Sequence, residues 1–130
     1  MSKEAGYTKD WLHDGAVLRL VVHKSDEQTL SALAADMQYE YQRWPADIFL
    51  RVILDMRAEG LEKFGYGLRH TRVLGTLRPD LKGRIAAIVS SKIAAQMLES
   101  TLRGIPGHRE SQVFTTEEAA LAWLLEENGE

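Results

Sequence analysis

Cysteine is absent from this chain of 130 residues, and proline occurs only three times. Without cysteine the chain can form neither disulfides nor thiolate zinc sites, so a reducing compartment is the simpler expectation. Long hydrophobic runs are missing too, since the apolar stretch 85–89 is far shorter than the ~20 residues of a membrane helix. The polar start, residues 1–6, does not have the pattern of a signal peptide. We therefore expect a cytoplasmic protein without an integral membrane segment.

An excess of basic charge is also lacking. The net charge of −3 gives no support to general nucleic-acid binding, so we expect no nucleic-acid partner. Within this acidic chain, however, residues 57–84 hold seven basic and three acidic side chains. Such a segment forms either a surface that faces an anion or a partner, or, more commonly, a solvated face.

The composition is that of one globular domain. Apolar residues make up 45% of the chain and charged residues 27%, which is close to the average for folded proteins. A chain of this length fits a single domain and can bury a sizeable core. We expect residues 1–7 to be a flexible N-terminus and residues 8–127 to form one domain.

Hydrophobic spacing predicts strands that alternate with helices. Runs of strand type cover residues 8–13, 16–23, 48–54, 84–90 and 111–114, and the second, third and fourth of them are rich in apolar residues. Asp14-Gly15, between the first two runs, predicts a type I′ hairpin turn. The second run is almost continuously apolar, which is typical of a strand covered on both faces.

Helix signals follow four of these runs. A capping box begins at Ser25, and the helix after it ends at Trp44-Pro45. Residues 56–83 predict a broken helix interrupted by glycines, residues 91–103 a third helix, and a capping box at residues 115–118 a fourth. The order β-β-α-β-α-β-α-β-α predicts an α/β fold, with a mixed, mostly parallel sheet of about five strands and about four helices.

Three stretches of the chain resemble the STAS superfamily, and within it the SpoIIAA-like small bacterial proteins that share STAS and CRAL-TRIO features. They read WLHDGAVLRLVVHKSDEQTLSAL, DIFLRVILDMRAEG, and KGRIAAIVSSKIAAQMLESTLRG with the later SQVFTTEEAALAWL. The resemblance covers about residues 8–125 and implies a SpoIIAA-like fold. It also implies a regulatory role through protein binding, without an enzymatic activity.

The resemblance also marks a departure from the family's pattern. In its anti-sigma antagonists, a phosphorylatable serine begins the helix after the strand that here ends at Asp55. This chain reads MRAEG at that place and has no hydroxyl there, while Ser90-Ser91 follow a different strand. What the resemblance implies is therefore binding that is not gated by phosphorylation, with the family's contact surface falling on Asp55 and residues 57–68.

Asp55 is the one carboxylate at the end of a predicted central strand, where ligands of α/β proteins usually bind. Its alternative role is structural, as a cap or as the partner of Arg57 or Arg84. Ser90 and Ser91 begin a predicted helix and would offer an anion site if Arg57, Lys82 or Arg84 lay near. Plain capping of the helix is the commoner role of serine there.

Glycines and aromatic residues are concentrated in residues 60–76. As a loop over the second central strand, this segment would cover a groove for a small apolar or anionic ligand. Its short Gly65-Tyr66-Gly67 motif lacks the strand and helix of a phosphate-binding loop and is more typical of a flexible turn. The candidate ligand or partner residues of this segment are Phe64, Tyr66, Leu68, Arg69 and Arg72.

Catalytic patterns are not recognisable in the sequence. The four histidines are scattered, and no serine occupies a nucleophile elbow. We therefore predict no metal, no cofactor and no catalytic residue. The leading hypothesis is a non-enzymatic interaction module that binds a protein or a second copy of itself, and the alternative is a carrier of a small ligand under the 60–76 loop.

Overall fold

The computed structural model describes residues 6–24, 27–57, 82–93, 96 and 109–126. They form five strands and two helices, numbered in chain order. The strands are β1 Tyr7–Leu12, β2 Val17–Val22, β3 Leu50–Asp55, β4 Gly83–Ile88 and β5 Arg109–Phe114, and the helices are α1 Glu27–Arg43 and α2 Glu117–Leu124. The predicted α/β class and the mixed five-stranded sheet are confirmed.

About four helices were predicted, and the described residues contain two. The other two predicted helices fall on residues 56–83 and 91–103. Of these segments the structure describes only the ends, where Lys92, Ile93 and Gln96 are helical. The rest of both predictions lies outside the described residues.

The strands follow one another across the sheet in the order β1-β2-β3-β4-β5. β1 runs antiparallel to β2, whereas β2, β3, β4 and β5 pair in parallel. Since carboxyl ends of parallel strands meet at one edge, β2 to β5 all end at what we call the carboxyl edge. The opening hairpin adds β1 as an outer strand.

The hairpin turn differs from the prediction by one residue. Leu12 O accepts a hydrogen bond from Gly15 N at 3.2 Å, so the two central residues of this turn are His13 and Asp14. Both have positive φ, at 53° and 57°, and Gly15 follows at 87°. Asp-Gly predicted the turn's place because glycine tolerates positive φ, but a histidine also adopts it here. The predicted centre at Asp14-Gly15 is therefore wrong by one position.

The α1 side of the sheet carries a large apolar core. Alternate residues of β2, β3 and β4 point to this side, as the two-residue period of a strand requires. They pack against Leu33, Met37 and Tyr41, which lie one turn apart on α1 and are nearly inaccessible to solvent. Trp44 ends the helix and closes this core, which confirms the predicted stop before Pro45.

The α2 side carries a smaller core. Val17, Ile53 and Ile88 point from three neighbouring strands toward Ala120 and Leu124 of α2. The helix begins at the cap Thr116, whose Oγ1 accepts a hydrogen bond from Ala119 N at 3.2 Å. A hydroxyl cap was predicted in this segment, and it satisfies one of the free N–H groups of the first turn.

Candidate functional site

The carboxyl edge brings the ends of β3, β4 and β5 together. Met56 N donates to Ile88 O at 2.8 Å, and Val89 N donates to Phe114 O at 2.9 Å. These bonds continue the sheet one residue beyond the strands. The segments that follow, residues 56–57, 89–91 and 115–117, therefore leave the sheet side by side, at the edge where α/β proteins most often bind ligands.

Asp55 and Arg57 form a fork-shaped ion pair at this edge. Arg57 Nε donates to Asp55 Oδ1 at 3.0 Å and Arg57 Nη2 to Asp55 Oδ2 at 2.6 Å. The Arg57 backbone N–H also donates to Asp55 Oδ1, at 3.2 Å. The carboxylate is buried, with 8% of its side chain exposed, whereas 43% of the Arg57 side chain is exposed. The predicted structural role of Asp55, as a partner of Arg57, is thus confirmed.

The geometry of this pair determines the charge states of Asp55 and Arg57. Burial would raise the pKa of Asp55, but the hydrogen bonds from the Arg57 side chain and backbone outweigh it and hold the pKa below its usual value. The bond to Asp55 in turn raises the pKa of Arg57. At neutral pH the acid is therefore ionised and the guanidinium charged, so this pair presents a fixed cation and no exchangeable acid proton.

A second arginine, Arg19, joins β1 to α2. Arg19 on β2 makes two hydrogen bonds to Asp10, at 2.7 and 3.0 Å, and two to Glu117, both at 3.0 Å. The charges of Arg19 and Glu117 also act on Asp55 and Arg57, respectively. Sequence reasoning missed Arg19. Its signal is a charged residue on the otherwise apolar strand VLRLVV, which requires a partner on the sheet face it reaches.

Ser90 and Ser91 follow β4 at the carboxyl edge and are exposed. Of the basic residues expected near them, Lys82 and Arg84 lie at the opposite end of β4, whose residues run from Gly83 to Ile88. Six residues of extended chain separate Arg84 from Ser90, about 20 Å. The prediction that Lys82 or Arg84 completes an anion site with these serines is therefore wrong.

Arg84 instead binds the end of α2. Its Nη1 donates to Trp123 O at 2.6 Å and to Glu126 Oε1 at 3.2 Å. Its neighbour across the strands, Arg51, donates from Nε to Leu124 O at 2.8 Å. Two cations thus satisfy the last carbonyls of α2 and oppose its dipole. Arg84 is no partner of Asp55, because the two side chains lie at opposite ends of their strands.

A groove of about 430 Å³ lies at the other end of the sheet, beside the hairpin. The indole rings of Trp11 and Trp44 stack on one wall, with centroids 5.8 Å apart. Ile48 and Arg43 line it as well. Sequence reasoning did not find this groove, since the two tryptophans come from elements far apart in the chain.

Five of the predicted site residues cannot be placed. Phe64, Tyr66, Leu68, Arg69 and Arg72, with the whole 60–76 segment, lie outside the described residues. Within the described ranges, no three histidine, aspartate or glutamate side chains converge as metal ligands would. No helix in the described part of the chain has both the length and the apolar character required to cross a membrane.

Comparison with known proteins gives no relative for this chain: no family model matches it, and neither a curated protein nor a solved structure is similar enough to count as a match.

Proposed function

We propose that the chain is a non-enzymatic interaction module of SpoIIAA-like type that binds a protein partner at the carboxyl edge of its sheet. The observation that carries the proposal is the exposed Arg57 guanidinium, held in place over the buried carboxylate of Asp55. A cation fixed in this way loses little conformational freedom when it binds a carboxylate of another protein.

The charge state of the edge favours binding over catalysis. A general acid or base needs a pKa near the working pH, whereas the pKa of Asp55 is lowered and that of Arg57 is raised. Arg19 and Glu117 are likewise bound to each other. This supports a role in recognition, in which the charges orient a partner and do not transfer protons.

The neighbouring segments extend the proposed surface. Ser90 is exposed two residues after the end of β4, the strand that pairs with β3, and it lies at the same edge of the sheet as the Asp55–Arg57 pair. The chain that continues from Arg57 contains Arg69 and Arg72, which stay candidate partner residues from the sequence and lie outside the described residues. Because no hydroxyl occupies the position after Asp55, we propose that binding does not depend on phosphorylation there.

Site-specific photo-crosslinking in cells of the source organism tests this proposal. A benzophenone side chain is introduced in place of Ser90 or Ser91, which leaves Arg57 intact, and in a control in place of Lys82, which is exposed at the opposite end of the strands. We expect a discrete protein adduct from positions 90 and 91 and none from position 82. Adducts of equal yield from all three positions, or from none, would contradict the proposal.

Native mass spectrometry of the purified protein tests the carrier alternative. The interaction module should show only the mass of the chain and its multiples. A co-purified small molecule, together with no adduct at positions 90 and 91, would replace the proposed function with the carrier of an apolar or anionic ligand.

A further inference from the structure

β1 has an open outer edge. Among the described residues no strand lies beyond it, since the sheet order begins at β1. His23 N donates to Gly6 O at 2.8 Å, so this opposed pair is hydrogen-bonded. In an antiparallel ladder such pairs alternate, and the backbone groups of the residues between them point away from the partner strand. The N–H and C=O groups of Tyr7, Lys9 and Trp11 therefore point to the open edge.

This edge lacks the features that normally keep strands from pairing. Natural edge strands carry prolines, bulges or protruding lysines. β1 contains no proline, and its six residues oppose β2 one to one without a bulge. Its one lysine does not protrude freely, because Lys9 Nζ binds Asp36, at 2.8 Å, and Glu40, both on α1.

The edge is complementary to a second copy of itself. Two antiparallel β1 strands centred on Lys9 would place Tyr7 of each opposite Trp11 of the other, and about six backbone hydrogen bonds would join them. Aromatic pairs directly across an antiparallel ladder are stabilising. Trp11 is 42% exposed. Tyr39 of α1, whose ring lies near Lys9 of β1, is 56% exposed. Large apolar surface therefore adjoins this edge.

Positive charge does not oppose this pairing at its centre. The two Lys9 side chains would lie opposite each other, but each ammonium is already bound by two carboxylates, Asp36 and Glu40. The centre therefore carries no excess of positive charge. On the other face, Thr8 of one strand would lie opposite Asp10 of the other, and Asp10 is bound to Arg19.

We infer that two copies of this chain pair through antiparallel β1 strands centred on Lys9, to form one continuous sheet of ten strands. The occupant of the open edge is thus a second copy of the chain. This contact is separate from the carboxyl edge, so either proposal stands if the other fails.

Spin labelling tests the register of the paired β1 strands directly. Because the chain has no native cysteine, a label attaches only to the introduced one. A nitroxide is attached to Thr8→Cys, and as a control to Lys82→Cys. Paired β1 strands bring the two Cα atoms of residue 8 to about 8–9 Å, from the spacings along and between strands. We expect dipolar broadening of the continuous-wave spectrum at position 8 and none at position 82. A dimer without broadening at position 8 would overturn the inference.

Sedimentation equilibrium supplies the second readout. At about 100 µM, well above a micromolar Kd, the wild-type chain should sediment with twice its mass of 14.7 kDa. Trp11→Glu removes an aromatic partner and should weaken the dimer at least tenfold. Ile93→Glu replaces another exposed apolar residue, 72% accessible, which follows β4 and is not part of β1, and it should leave the dimer intact.

A wild-type mass of one chain, or a dimer unaffected by Trp11→Glu, would overturn the inference. Circular dichroism checks that Trp11→Glu is folded. If Trp11→Glu is unfolded, the labelled Thr8→Cys protein decides whether β1 strands pair, because that label leaves Trp11 in place.

Discussion

The two sides of the sheet hold their helices by different means. Among the described residues, thirteen are buried in the core on the α1 side and six in the core on the α2 side. Apolar burial therefore accounts for much of the attachment of α1. The eight residues of α2 bury little, and this helix is bound by arginines at both ends: Arg19 at its start, and Arg51 and Arg84 at its last carbonyls.

The arginines that bind α2 lie on the same face of the sheet as the Asp55–Arg57 pair, where partner binding is proposed. Arg19 binds Glu117 of α2 on the sheet face that also carries the Asp55–Arg57 pair, whereas the ion pairs of the α1 side join that helix to β1. We therefore expect core truncation to distinguish the two sides most strongly, and single charges and caps to act mainly on α2.

Core truncation should have the largest effect. Leu18→Ala, on the α1 side, and Leu124→Ala, on the α2 side, each remove a fully buried side chain. We expect both to lower the free energy of unfolding by about 2–5 kcal/mol. Leu18 should lie near the upper limit because it is on an inner strand, and Leu124 near the lower limit because a helix end relaxes more readily. Urea unfolding measures both, and a larger loss for Leu124→Ala would contradict the comparison.

Removal of the arginine link should come next. Arg19→Met leaves Asp10 and Glu117 without their shared partner, and we expect a loss of about 1–2 kcal/mol, as for forked charge-assisted bonds that are partly exposed. Arg19→Lys keeps the charge without the fork and should recover part of it. Urea unfolding in low and high salt checks the cause, since a loss that salt does not reduce would argue against an electrostatic origin.

The α2 cap should have a smaller effect. Thr116→Ala removes the hydroxyl that accepts from Ala119 N, at a cost of about 1 kcal/mol. Thr116→Ser keeps the acceptor and is the matched control. Thermal unfolding followed by circular dichroism measures both, and equal melting temperatures for the two variants would show that the cap does not hold α2.

Opposite pH dependences should give the smallest and most specific effects. Hydrogen bonds from Arg19 and Arg57 lower the pKa values of Asp10 and Asp55 in the folded state. Their contribution is therefore complete above the unfolded value of about 3.9 and is lost as the pH falls through the folded pKa. On the α1 side, burial and the bond to Asp36 raise the pKa of Tyr7 to about 12. Its contribution is complete below about pH 10 and is lost as the pH rises toward 12.

Two variants distinguish the acid and the alkaline part of this pH dependence. Asp55→Asn should flatten the acid limb of the curve of unfolding free energy against pH and leave the alkaline limb unchanged. Tyr7→Phe should do the reverse. A variant that shifts both limbs equally would show that the two sides are not electrostatically independent.

Local signals predicted much of the fold. Apolar runs rich in valine, isoleucine and leucine marked β2, β3 and β4, and Trp44-Pro45 marked the end of α1. The turn was misplaced by one residue because the sequence favoured glycine at positive φ, and the backbone places His13 there as well. Asp55 and Arg57 were predictable as a pair because they are two residues apart.

Long-range contacts were not predictable in this way. Arg19 and Glu117 are 98 residues apart, and no local pattern relates them. The same holds for Arg84, whose partners Trp123 and Glu126 depend on where α2 crosses the sheet. Hydrophobic periodicity indicates which face a residue occupies, but the partner it meets there depends on the order of the strands.

The proposed function depends most on Arg57 at the carboxyl edge, which is proposed to bind a partner as well as to pair with Asp55. The direct measurement is the yield of the photo-adduct at position 90 in an Arg57→Ala background. We predict that the adduct is lost while the protein stays folded, with the free energy of unfolding lowered by about 1–3 kcal/mol, because the buried Asp55 carboxylate then keeps, among the described residues, only the backbone N–H of residue 57. An adduct that persists at full yield in a folded Arg57→Ala protein would contradict the proposed function.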